Sequence, residues 1–271
     1  MTLSLGKKIT FYILLIISAL LLAGPMLMAI VMSFMTNQDI LSGSLPTALT
    51  FDNYIAAFEK FPLMKFLLNS FIVSTVIMLG QLILASLAAY AFVFMEFKGR
   101  DLLFFIFIGT MMVPFEASVI PNFHIIRDLN WIDTYPGLTV PFFATAFGTF
   151  LLRQNFKQIP KELREASLIE GIGDFKFFLT VVLPVAKSSL ITLGAYGFLT
   201  SWNMYLWPLL ATTNDSVRTV QIGLKQLQTQ EQLNDWGMIM AGAVTVIIPT
   251  LILLFLGQKR LQKGLTEGAI K

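Results

Sequence analysis

Few residues in this chain could do chemistry, and their types narrow what chemistry is open to it. His124 is the single histidine and cysteine is absent. A His-rich zinc or di-iron site, a thiolate metal site and a disulfide framework therefore cannot be built from this chain alone. No G-x-x-x-x-G-K-[ST] run occurs, so the chain cannot cradle ATP phosphates. No His, Asp and Ser groups converge within its apolar stretches, which argues against a membrane enzyme. What remains is one dense charged segment and a few isolated polar residues.

The dense segment reads Pro160-Lys161-Glu162-Leu163-Arg164-Glu165-Ala166-Ser167-Leu168-Ile169-Glu170-Gly171. Pro160 suits the first turn of a helix, where its missing N–H costs nothing. The run to Glu170 holds good helix formers and no glycine. Gly171 can take the left-handed conformation that ends a helix. Asp174 can N-cap a second short helix over Phe175–Val181, and Leu183-Pro184 then leads back into an apolar stretch. The expected form is helix, glycine turn, helix, with Leu163, Ala166, Ile169, Phe175 and Phe178 as an apolar face among charges. Two roles fit such a face: resting on lipid headgroups, or docking a cytoplasmic partner.

The isolated polar residues carry two readings each. Glu116 follows Pro114 inside an apolar stretch, where a charged carboxylate costs about 2.5–3.5 kcal/mol on insertion scales. It either lines a pathway or caps a broken helix. Asn203 and Tyr205 stand beside Trp202 and Trp207. Aromatics with an amide can stack on and hydrogen-bond a sugar, and Trp and Tyr also anchor helices at membrane interfaces. His124 reads as an interface residue.

The elements that must position these residues are apolar helices. Of the 271 residues 56% are apolar and 13% charged, where a soluble domain carries about a quarter charged. A bilayer core of about 30 Å takes roughly 20 apolar helical residues. Candidate spans cover about 9–35, 66–95, 102–126, 137–152, 188–211 and 236–258. The third is interrupted by Pro114, Glu116 and Pro121, and the fourth is short and contains Pro141. The first lacks the small-residue exit of a signal peptide and is too long for one. Residues 66–95 do not alternate as barrel strands would. Their Ala85-Ser86-Leu87-Ala88-Ala89 patch suits close helix packing. The expected fold class is an all-α membrane protein with six transmembrane helices, one domain over residues 1–271, and a loop at 153–187.

Lys and Arg set the orientation. With the N-terminus inside, the inner segments hold 14 of them and the outer segments 5. Acidic residues split about evenly. Both termini and the 153–187 loop are therefore expected to be cytoplasmic, and the basic segments read as topology signals rather than as a nucleic-acid surface.

Glu165-Ala166-Ser167, Gly171 four residues after Ser167, and then Val181, Leu183 and Pro184 resemble the "EAA" loop of bacterial binding-protein-dependent ABC importers. The family pattern is E-A-A, three residues, G, nine residues, I-x-L-P; this chain departs at Ser167 and Val181. Phe51-Asp52-Asn53-Tyr54, Asn69-Ser70, Met112-Val113-Pro114, Asp133–Leu138, Phe150–Gln154 and the tail Gly264–Ala269 extend the likeness over nearly the whole chain. It is most similar to the six-span, MalG-like permeases of carbohydrate uptake. Trp202–Leu209 resembles the glycerol-3-phosphate permeases.

The resemblance implies a permease subunit in a prokaryotic plasma (inner) membrane that imports a sugar or polyol phosphate. It implies an ATPase-coupling loop carried by Glu165, Ala166, Ser167, Gly171, Leu183 and Pro184. Glu116, Trp202, Asn203 and Tyr205 are then candidates for the translocation path. The implied partners are a second homologous permease, a cytoplasmic ATPase dimer that binds ATP and Mg, an extracytoplasmic solute-binding protein at the loop Thr212–Asp235, and the lipid bilayer. The chain itself would be no enzyme and would need no cofactor. A stand-alone secondary transporter or channel would predict inverted repeats or several intramembrane charges, and Glu116 alone qualifies.

Overall fold

The computed structural model describes residues 5–231 and 235–266. Every regular element among them is helical. In chain order these are α1 (Leu5–Met32), α2 (Asn37–Ser42), α3 (Asp52–Lys60), α4 (Leu63–Phe94), α5 (Arg100–Gly109), α6 (Phe115–Asp128), α7 (Tyr135–Thr139), α8 (Ala146–Phe156), α9 (Lys161–Ile169), α10 (Asp174–Phe177), α11 (Leu183–Val185), α12 (Lys187–Trp202), α13 (Leu206–Ala211), α14 (Val220–Glu231) and α15 (Trp236–Thr266). Short 3-10 turns at Thr110–Met112 and Val140–Phe142 extend α5 and α7, and a π-helical stretch, Phe178–Val182, joins α10 to α11. Part of the expected tail motif, Glu267-Gly268-Ala269, lies outside the described residues.

Lys8–Met32, Leu63–Phe94 and Trp236–Phe255 are each long and apolar enough to cross a bilayer as single rods. Other stretches qualify only as bent pairs. Arg100–Met112 meets Phe115–Asp128 at 99°, Tyr135–Phe142 meets Ala146–Phe156 at 46°, and Asp174–Val185 meets Lys187–Trp202 at 80°. Counting each pair as one span gives six.

The third, fourth and fifth spans are thus jointed rather than straight. Pro114 has no N–H to continue α5 and holds Val113 extended, at φ −86° and ψ 115°. The fifth pair bends at Ala186, and within 188–211 the helix breaks again at Asn203–Tyr205, where the Asn203 side-chain amide donates to the Leu199 carbonyl at 2.8 Å. The expected polar loop after residue 211 is half helix. In α14, Val220 and Leu227, two turns apart, are buried on one face, and Ile222 is buried on another side.

The described residues form two compact units: those up to Met64 with Gly223–Ile248, and Lys65–Ile222 with those from Pro249 on. In the first, buried Asn53 donates to the carbonyls of Ser33 and Met35 at 2.9 and 2.8 Å. It thereby satisfies acceptors just past the end of α1. Gly237 leaves room for it, since a Cβ there would stand 2.5 Å from the Asn53 amide. Asp39 accepts the Thr47 amide and hydroxyl at 3.2 and 2.9 Å, and those bonds hold its carboxyl below the usual range.

The second unit is built on α4 as two clusters. Val73 and Ile77 pack with Val119, Leu138 and Trp207. Ala85, Ala89 and Tyr90 pack with Leu152, Phe156, Phe177, Val182 and Leu193. The small-residue patch thus lies at a close helix contact, where packing rather than water exclusion holds helices in lipid. Between the clusters, Gln81 donates to the Phe142 carbonyl at 3.0 Å. That carbonyl is freed where the helix breaks before α8, and an unmet one would be costly away from water.

Candidate functional site

The 161–185 segment forms the expected helix–glycine–helix. The geometry at its elbow explains the pattern. Gly171 has φ +72°. Its amide donates to the Leu168 carbonyl at 3.1 Å, and the Ile172 amide donates to the Ser167 carbonyl at 2.8 Å. These two bonds make a Schellman motif, which requires the left-handed residue at its centre. No atom lies within 4 Å of a Cβ built on Gly171, so the constraint there is conformational and not steric.

Two expectations about caps shift by one residue. Pro160 is the N-cap of α9, ahead of its first turn. Gly173, with extended backbone, caps α10, and Asp174 opens the helix without capping it. The reason is competition for the carboxylate. Arg164 from α9 pairs with Asp174 across the elbow, and the Tyr90 hydroxyl of α4 donates to the Asp174 carbonyl and carboxylate at 3.1 and 3.2 Å. The Arg164 guanidinium also lies 5.0 Å from the Phe177 ring centre. Arg164, Asp174, Tyr90 and Phe177 therefore clamp the elbow. Sequence reasoning missed this clamp, although the opposite charges on either side of Gly171 were its signal.

Leu163, Ala166, Ile169 and Phe175 are exposed, as an outward apolar face needs; Ile169 is 88% exposed and Phe175 69%. Phe178 does not join them. It is buried edge-on to Tyr90, ring centres 5.2 Å apart, within the inner cluster. Ser167 is buried too, and its hydroxyl donates to the Arg164 carbonyl at 2.7 Å. Serine in place of alanine thus adds no unmet group. Leu183 packs against the inner cluster and Pro184 is exposed. Glu165 is exposed, and among the described residues no side-chain hydrogen bond or ion pair holds it.

The isolated polar residues are not brought together. Glu116 is exposed in the first turn of α6, where helix amides favour a negative charge. Trp202 is buried and stacks on Phe198 at 5.8 Å. Asn203 and Tyr205 are exposed at the joint between α12 and α13. Trp207 is core; its indole donates to the Gly137 carbonyl at 3.0 Å. His124 is exposed on α6.

The motifs Asn69-Ser70 and Asp133–Leu138 do meet, far along α4 from Tyr90. Asn69 donates to the carbonyls of Ser216 and Arg218 at 3.1 and 2.9 Å and accepts the Tyr135 hydroxyl at 2.7 Å. Ser70 accepts the Val220 amide at 2.7 Å. Asp133 accepts the amides of Thr213 and Asn214 at 2.7 and 3.2 Å, with the Thr213 hydroxyl. Burial pushes the Asp133 carboxyl up, but those bonds and the Arg218 charge outweigh it and hold it below its usual range.

Residues 81–267 match the family model for the binding-protein-dependent transport system inner membrane component. The sn-glycerol-3-phosphate transport system permease protein UgpE of Yersinia pseudotuberculosis is 33% identical over 97% of both chains. The same protein of Brucella abortus is 35% identical over 94% of this chain and 95% of its own. A bacterial ABC transporter involved in import of the acidic polysaccharide alginate contains a chain of similar structure. Its TM-score is 0.85 at 25% identity, covering 96% of this chain and 99% of that one. A chain from a bacterial alginate ABC transporter, solved in complex with a periplasmic protein carrying alginate pentasaccharide, shares the fold with a TM-score of 0.69 at 14% identity, covering 93% of each.

Proposed function

Because the chain belongs to the family of binding-protein-dependent transport system inner membrane components, we propose that it is the permease of an ATP-driven importer for sn-glycerol-3-phosphate or a sugar. The observation that carries the coupling role is the elbow. A clamped helix–Gly171–helix presents Leu163, Ile169 and Phe175 outward beside Glu165. In this reading Glu165 meets a basic group of the ATPase, Ala166, Ser167 and Gly171 keep the helix at its angle, and Leu183 and Pro184 return the chain to the membrane. ATP and Mg are held by an ATPase dimer, and this chain contributes no cofactor and no catalysis.

The rest of the assembly follows the same reading. The whole chain is one permease domain with both termini and the elbow in the cytoplasm, as the Lys and Arg distribution favours. The most apolar window of α1 has no buried residue, so it needs lipid or a second permease subunit against it. The segment 212–235, with α14, faces the solute-binding protein. Glu116, Asn203 and Tyr205 line the path, with Trp202 supporting the last two from the core. The relatives' names favour glycerol-3-phosphate as solute.

The test expresses the permease with its partner subunits. Glu165→Lys is expected to lower both ATPase co-purification and solute uptake at least about tenfold, the scale of a lost interfacial charge pair. Wild-type docking and uptake in that variant would return the face to lipid headgroups, where an added basic residue is tolerated. Uptake of labelled sn-glycerol-3-phosphate against an uncharged sugar decides the solute.

A further inference from the structure

Beside the elbow, the ends of α4, α5 and α8 and the start of α9 enclose a cavity of about 500 Å³. Its lining is of two kinds. It carries Arg100, Arg153, Lys157, Lys161 and Arg164, together with Glu96, Asp101 and Glu165. Five basic groups against three acidic ones leave two positive charges in excess. The lining also carries Phe92, Val93 and Phe94, the last turn of a helix apolar enough to cross a bilayer.

Arg153 is the informative residue. Its side chain is 8% exposed, and a guanidinium so deep usually has its donors matched. Here its one carboxylate, Asp101, stands 3.4 Å away and is itself mostly exposed. The cation lies 3.8 Å over the Phe104 ring. Its Nε–H has no partner among the described residues, and neither does one terminal nitrogen of Arg164, which is committed to Asp174 through the other. Both of those nitrogens are sealed from solvent, so the basic groups open to a ligand on this cavity are those of Arg100, Lys157 and Lys161. A phosphate oxygen is their natural complement.

We propose that this cavity binds the phosphate of an anionic phospholipid headgroup, with the acyl chains running down past Phe92 and Phe94. The lipid source is favoured over a free anion by the aromatic lining. It is favoured also by Leu102, Leu103 and Phe105, which are 65, 51 and 70% exposed on α5 next to Asp101 and offer chains a surface. Basic pockets between helices at the inner membrane face suit such headgroups. The proposal rests on the cytoplasmic placement of the elbow. A lipid seated there would brace α8 against α9, and so tie the elbow's posture to the inner leaflet.

The experiment uses the full chain, without ATPase, in nanodiscs of phosphatidylglycerol and phosphatidylcholine. Lipid retained after extraction is read by native mass spectrometry, with dihexanoyl phosphatidylglycerol, dihexanoyl phosphatidylcholine and inorganic phosphate as competitors. Phosphatidylglycerol should be retained and be displaced by its short-chain form alone. The double variant Arg153→Gln, Lys157→Gln should weaken retention about 25-fold, at about fivefold per charge. Lys157→Gln with Lys161→Gln gives the same reading without touching the buried arginine. Displacement by inorganic phosphate as strongly as by the lipid would overturn the lipid source, and equal retention of phosphatidylcholine would overturn the anion site. No retention of phosphatidylglycerol by the unaltered chain would overturn the proposal. Failure of Glu165→Lys to affect ATPase docking bears on the coupling role and leaves the lipid measurement independent.

Discussion

Asn69 and Tyr90 sit about 20 residues apart on one helix, roughly 30 Å, and their surroundings are held by different means. Around Asn69, side chains bond to main chain across long sequence distances: to residues 216, 218 and 220 from Asn69 and Ser70, and to 213 and 214 from Asp133. Around Tyr90, rings pack and one ion pair clamps the elbow, its Asp174 half-exposed. A network of directional bonds joining distant parts of the chain admits few arrangements, because a small displacement leaves several donors or acceptors unmet. Packed rings and a wet ion pair tolerate small shifts. The end around Asn69 therefore reads as an anchor, and the end around Tyr90 as a surface able to adjust to a partner.

Asn69→Leu should have the largest effect. It strands the carbonyls of Ser216 and Arg218 and the Tyr135 hydroxyl. At about 1–3 kcal/mol per orphaned group, the loss should reach about 3 kcal/mol or more. Thermal unfolding in detergent measures it, and a cost below that of Asp174→Ala would reverse the contrast. Gly171→Val comes next, at about 1–2 kcal/mol for a side chain in the left-handed region. The strain should stay local: insertion and melting stay near wild type while co-purified ATPase falls. Equal ATPase recovery with wild-type uptake would remove the coupling role.

Asp174→Ala should cost about 0.5–1 kcal/mol. The carboxylate it removes is 54% exposed and its pair with Arg164 is solvent-screened. Hydrogen exchange should rise in 164–178 and leave 213–220 unchanged; a rise at both ends would mean that the two are coupled. The smallest effect is one of pH. Asp133 is held below its usual value, so its folded form favours the carboxylate. That contribution is present above the unfolded pKa of about 3.9 and is lost as pH falls through the lower folded value. Protection of the Thr213 and Asn214 amides, corrected for intrinsic exchange, should drop below about pH 4 and be pH-independent in Asp133→Asn.

Much of this was legible from the chain. The long apolar runs are spans, Pro114 marks a joint, and Gly171 takes the left-handed turn that its place after good helix formers demands. What escaped has a common cause: partners distant in sequence. Asp174 looks like an N-cap because local rules favour aspartate there, but Arg164 and Tyr90 claim its carboxylate. Phe178 looks outward by helical spacing, and Tyr90 of α4 takes it into the core. The joint at Asn203–Tyr205 contains no proline or glycine to announce it. Helix α14 is rich in glutamine, so its sequence looks like a polar loop, and the burial of Val220, Ile222 and Leu227 shows only in the fold.

The bonds that close the elbow run from the amides of Glu170, Gly171 and Ile172 to the carbonyls of Ala166, Leu168 and Ser167. All are main chain. The shape of the turn is therefore written in one glycine, while the outward side chains of α9 have no duty in making it. Leu163, Glu165 and Ile169 can be rewritten together, like the teeth of a key whose shank is left untouched. On the coupling role proposed for this face, exchanging a handful of surface residues is expected to re-address the permease to a different motor, and grafting those positions from a relative is the direct test.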